Sequence, residues 1–191
     1  MHTSIRIQWL IGIVLASFII LTRGHHFASI NHLPAFSWAA FLLAGFYLRS
    51  LMGFGALFAL CVGLDFIALT WGGGDNSSCF TIAYGMLLPA YFSLWFAGRW
   101  YQKYHSNTLK TVLPLVVLVL LGTFACELLS SGGYYIFSGK FTPNLHEFSQ
   151  RLSLYYPRYL SSVVFYVGIT IGVHAFIVWG QKMNLFPQKT H

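Results

Sequence analysis

From Ala35 to Thr70 the chain runs for 36 residues with two charged side chains, Arg49 and Asp65. Drawn as one helix, at about 1.5 Å per residue, the run would be roughly 54 Å long. A bilayer's hydrocarbon core is about 30 Å thick and takes about 20 apolar residues to cross. One crossing cannot use the run and two can, with a turn at Arg49-Ser50 and Gly53 close behind. Pro34 suits the first position of the earlier helix, where a missing N–H costs nothing.

The rest of the chain is built the same way. Hydrophobic residues fill 57% of the 191 positions and charged residues 8%. A surface facing water usually carries about 25% charged residues, so lipid must cover most of this one. The net charge of +7 is spread thinly, and no basic patch with interleaved stacking aromatics marks a nucleic-acid binder. The N-terminal run Ile7–Leu21 lacks a following A-x-A cleavage site and reads as a retained helix rather than a signal peptide.

The expected spans are 5–21, 35–48, 51–70, 83–100, 111–129 and 159–180. Together they predict an all-α integral membrane protein of one domain, residues 1–191, crossing six times. Trp71–Phe80 is Gly- and Ser-rich and reads as a loop, as do Arg99–Lys110 and the long polar-aromatic stretch Ser130–Arg158. Six crossings put both termini on one side. That side holds Arg6, Arg49, Arg99, Lys103, Lys110, Lys182 and Lys189, against Arg23, Lys140, Arg151 and Arg158 on the other. The excess places both termini in the cytoplasm.

The candidate chemistry gathers on the outer side. Cys79 lies in the Gly/Ser-rich loop beside Asp75 and Asn76, just ahead of a helix. A thiol near a helix N-terminus is more easily ionised, and a thiolate is a soft metal ligand. Cys61 and Cys126 fall within spans and read as packing residues. No CxxC pair supports a redox or zinc-ribbon motif. Asp65 and Glu127 are carboxylates within spans, with Arg23 and Arg158 near the same boundary, and they read either as structural salt bridges between helices or as polar contacts in a ligand pocket. His25, His26, His32 and His146 could hold a metal, although their spacing matches no zinc-enzyme motif. His174 has no histidine in the earlier spans to pair with, which argues against a bis-histidine haem. Gly132-Gly133-Tyr134-Tyr135-Ile136-Phe137 and Leu154-Tyr155-Tyr156-Pro157-Arg158-Tyr159 suit either a planar ligand or an interface belt. Gly12 and Ala16 form a small-xxx-small pair that permits close helix approach.

Six helices in about 190 residues, inner termini and a binding face turned outward resemble the substrate-binding S-components of energy-coupling factor (ECF) vitamin transporters. The stretch Gly73-Gly74-Asp75-Asn76-Ser77-Ser78-Cys79 narrows the likeness: it resembles the BtuM family of cobalamin (vitamin B12) uptake proteins of the bacterial inner membrane. The resemblance implies a multi-pass transporter for cobalamin. It makes Cys79 the cobalt ligand and associates the protein with thiol-dependent decyanation of cyanocobalamin. It leaves the energy-coupling partner as either an ECF module or none. The chain has no P-loop and so no ATP site of that kind. For the corrin side amides, the residues nominated are His26, Asp75, Tyr84, Tyr134, Tyr135 and Arg151.

Two other readings compete. One is an exosortase-like membrane enzyme with Cys79 as nucleophile, His25 or His146 as base and Arg151 or Arg158 at the oxyanion. The other is an S-component for a different vitamin.

Overall fold

The computed structural model describes residues 5–23, 36–48, 50–71, 82–106, 108–139, 141–142 and 144–183, and those residues form helices and short turns without strands. In chain order the helices are α1 (Ile5–Arg23), α2 (Ser37–Tyr47), α3 (Leu51–Trp71), α4 (Leu87–Tyr104), α5 (Val112–Phe137) and α6 (Leu145–Lys182). One helical turn, Ile82–Gly85, leads into α4, and a 3-10 turn, Leu109–Thr111, leads into α5.

Four of these helices, α1, α3, α5 and α6, are long and apolar enough to cross a membrane. Their outer faces carry large apolar side chains in the open, among them Trp9, Ile13, Phe66, Leu121, Phe165 and Phe176. A protein bathed in water rarely exposes contiguous apolar patches beyond a few hundred Å². The chain is a multi-pass membrane protein.

At the centre is α2, with 11 residues the shortest of the six. At about 1.5 Å per residue it is roughly 16 Å long. Every residue from Ser37 to Gly45 is buried, and Ala39, Ala40, Phe41 and Ala44 are wholly enclosed. Small residues let its neighbours come close. A Cβ on Gly45 would run into the carbonyl oxygen of Trp95, and one on Gly98 into that of Leu42. The backbones of α2 and α4 therefore touch at reciprocal glycines, an arrangement typical of helices that pack without water to drive them together. On its other side α4 meets α5, where Gly122 faces the Ala97 methyl. Aromatic rings fill the spaces left: Phe41 stacks on Tyr91 at 4.4 Å, and Trp38 on Tyr159 at 4.6 Å. Cys61 and Cys126 are buried in the packed interior, as expected of packing residues.

The expected bounds hold closely for α1 and α3 and fail at the C-terminal end. Ser130–Arg158, expected as a loop, is largely helical. Helix α5 continues to Phe137 and α6 begins at Leu145, so the turn between them is short. Helix α4 likewise extends past the expected 100 to Tyr104. The Ser-Ser-Gly-Gly run that looks like a break stays helical because Gly133 sits against Met86, a contact that leaves no room for a side chain. Gly139, with φ +68°, takes the left-handed conformation that turns the chain after α5. Pro157 lies inside α6 without ending it.

Candidate functional site

Arg23 closes α1 and reaches sideways into a polar cluster. Its Nε donates to Asp65 Oδ1 and its Nη2 to Asp65 Oδ2, both at 2.7 Å. Its Nη1 donates to Ser37 Oγ at 2.9 Å and to Tyr91 Oη at 3.1 Å. Tyr84 donates to Asp65 Oδ2 at 2.8 Å. This is a two-pronged arginine–carboxylate pair, the strongest geometry for such a contact. Its side chains keep 16% and 25% of their exposure. All three guanidinium nitrogens donate, through four hydrogen bonds, and Asp65 is compensated in a region where an unpaired charge would be costly.

The positions of these five residues along the chain matter as much as their contacts. Arg23 and Ser37 flank segment 24–35, while Asp65 and Tyr84 flank segment 72–81. One network thus ties together the stems of both segments. The second of these carries Cys79 and Asp75, and the first carries His25, His26 and His32; all five lie outside the described residues.

A second cluster forms where α5 turns into α6. The Tyr135 hydroxyl accepts from the Asn144 N–H at 3.0 Å and lies 3.2 Å from Glu147 Oε2. Arg151 Nε donates to Glu147 Oε1 at 3.2 Å, and its guanidinium sits 4.2 Å from the centre of the Phe141 ring. Phe141 in turn stacks on Tyr135 at 5.2 Å. Arg151 and Glu147 are half exposed, so the pair itself adds little stability. It orients the guanidinium over an aromatic face instead. The Tyr134 ring packs on Phe141 at 6.1 Å and is partly exposed. The Met86–Gly133 contact joins this end of α5 to the turn that carries Tyr84.

Of the nominated residues, the structure therefore brings Tyr134, Tyr135 and Arg151 together and places Tyr84 in the arginine network. The expected pairing of intramembrane acids is met once. Asp65 binds Arg23, whereas Glu127 is buried and accepts from Ser131 Oγ at 2.5 Å, with no salt bridge among the described residues. No group of three or more His, Cys, Asp or Glu able to hold a metal occurs among the described residues. His146 is exposed on α6, with Nε2 3.0 Å from Gln150 Nε2.

Sequence reasoning missed Ser37, Tyr91, Phe141 and His105. Tyr91 was findable, because it lies seven residues after Tyr84, two turns along one helical face. His105 lies in the stretch read as a loop, yet its ring is 5.7 Å from that of His174. No family model matches the chain, and no curated protein matches it.

Proposed function

We propose that the chain crosses the membrane six times, with both termini in the cytoplasm, and takes up cobalamin at the outer face, with Cys79 as cobalt ligand. The observation that carries this reading is the network of Arg23, Asp65, Ser37, Tyr84 and Tyr91, which anchors the stems of the two segments that carry His26, Asp75 and Cys79. Fixing the stems of these two segments with a paired charge cluster supports a binding site at this end of the bundle. Arg151 stacked on Phe141, with Tyr134 beside it, offers a cationic and aromatic surface at the same end. Such a surface suits the amide-fringed, planar macrocycle of a corrinoid.

In this reading Cys79 loses its proton and its sulfur takes one axial position on cobalt. Strong donation from sulfur weakens the bond to the ligand opposite. Cyanide then leaves with its electron pair and picks up a proton in water, and the cobalt oxidation state does not change. The bacterial inner membrane is the setting that the reading requires.

The test is the absorption spectrum of the protein purified from cells grown with cyanocobalamin, beside that of Cys79→Ala. A corrinoid spectrum shifted from free cyanocobalamin, and reverting in the variant, is the expected result. A colourless protein that also fails to bind added corrinoid would remove the reading. It would leave the other-vitamin reading and the cysteine-enzyme reading, of which the second requires Cys79 to be trapped by an electrophilic substrate analogue.

A further inference from the structure

At the end of the bundle away from the arginine network, the chain folds around a cavity of about 450 Å³. That volume lies within the range of about 300–1,000 Å³ found for small-molecule sites. Its walls come from four elements: Leu42 and Phe46 of α2, Leu115 of α5, and Val167, Ile171 and Val178 of α6, with the end of α4 closing the base. Its polar groups are of one kind. They are neutral side chains: the imidazoles of His105 and His174, several hydroxyls including those of Tyr47, Tyr101 and Thr170, and the Trp179 indole.

Among the described residues, no Asp or Glu lines the cavity. The chain has four acidic residues in all, at 65, 75, 127 and 147. Lys103 and Lys110 bracket the turn that carries His105, and both are exposed. The described lining therefore presents two imidazoles and nearby positive charge without a carboxylate to repel an anion or to hold a cation. His105 is oriented by Tyr101, whose hydroxyl lies 3.2 Å from His105 Nδ1, and Phe46 packs edge-on against its ring at 5.1 Å. His174 meets it from α6 at 5.7 Å.

The cavity also has a direction of entry. Val112, Ile171 and Trp179 line it while remaining 50%, 49% and 54% exposed. It thus opens sideways, between the start of α5 and the second half of α6, on a flank that also exposes Val173 and Phe176. A water-borne anion would gain nothing from such walls. An amphiphile arriving from the bilayer gains from both the walls and the polar end.

We propose that this cavity is a lipid site, taking one acyl chain of an anionic phospholipid with its phosphate at His105 and His174. The site is independent of the corrinoid reading and rests on the membrane-embedded flank. It predicts selectivity for acidic headgroups, since the cavity supplies donors and no partner carboxylate for a choline.

The experiment is native mass spectrometry of the full chain in neutral detergent, offered equal amounts of phosphatidylglycerol, phosphatidylcholine and oleic acid. One phosphatidylglycerol should be retained, at least tenfold over phosphatidylcholine. Retention should fall at least tenfold in the His105→Ala/His174→Ala variant. It should fall equally in Thr170→Trp, which fills the cavity from α6 and leaves both imidazoles in place. Equal retention of phosphatidylcholine by the unaltered chain would overturn the proposal, as would retention unchanged in both variants. Preference for oleic acid would replace the phospholipid with a free carboxylate and would equally refute it.

Discussion

Helices α2 and α3 come from one apolar run and meet opposite fates. In α2 every residue from Ser37 to Gly45 is buried, whereas α3 leaves Leu51, Met52, Phe66 and Ile67 more than half or about half exposed. Their side chains are of the same kind. What separates them is the size of the residues at the crossings. Gly45 of α2 sits where only a hydrogen fits, while Gly55 and Gly63 of α3 have nothing within 4 Å of where a Cβ would be. In lipid, burying a leucine has little driving force, because the tails are as apolar as the protein. Close backbone fit and polar bonds decide which helix is inside. Helix α2 is held by fit along nearly its whole length, whereas α3 packs through one face, at Phe54, Leu57 and Cys61, and is tied to α1 by the salt bridge from Asp65 to Arg23.

Substitutions can break or sharpen this contrast, and the largest effect belongs to the α2–α4 crossing. Gly45→Leu or Gly98→Leu must push two backbones apart, so a loss above about 3 kcal/mol is expected, beyond the usual overpacking cost. Unfolding in mixed detergent micelles would measure it, and a loss below that would show that α2 is held by something other than fit. Next comes Arg23→Ala, which strands Asp65. Breaking a buried pair costs about 3–5 kcal/mol, and the residual exposure of both side chains argues for the lower end. Arg23→Lys keeps the charge but loses the second prong and the bonds to Ser37 and Tyr91; a loss of about 1–2 kcal/mol is expected, a few hydrogen bonds' worth. Smallest of all, Gly55→Leu and Gly63→Leu on α3 should stay within about 0.5 kcal/mol of the parent, as exposed substitutions do. A large loss there would mean that another protein, rather than lipid, covers α3.

The same contrast explains what could be read from the chain beforehand. Scarcity of charge is a property of the whole surface, so membrane embedding and an all-helical fold were plain, and the ends of α1 and α3 fell within two residues of expectation. The Arg23–Asp65 pair was legible because charges within apolar spans have few possible partners. The stretch 130–158 was not. Its serines and glycines signal a loop in water, but inside a bundle Gly133 is a packing surface, and Ser149 and Ser153 satisfy their hydroxyls on carbonyls three residues back along α6. The meeting of His105 and His174 was hidden for another reason. It joins residues 69 positions apart across a turn, and nothing in either local pattern points to the other.

Helix α6 spans 38 residues, about 57 Å at 1.5 Å per residue, nearly twice the hydrocarbon thickness of about 30 Å. A rod of that length cannot lie wholly within the bilayer. Its first turns, with Arg151 beside Phe141, stand at or beyond the headgroups, while its last turns carry His174 and the wall of the lipid-facing cavity. The two ends of the molecule therefore share a single stiff member. A change of tilt imposed at one end would be carried along the same helix toward the other, past Pro157.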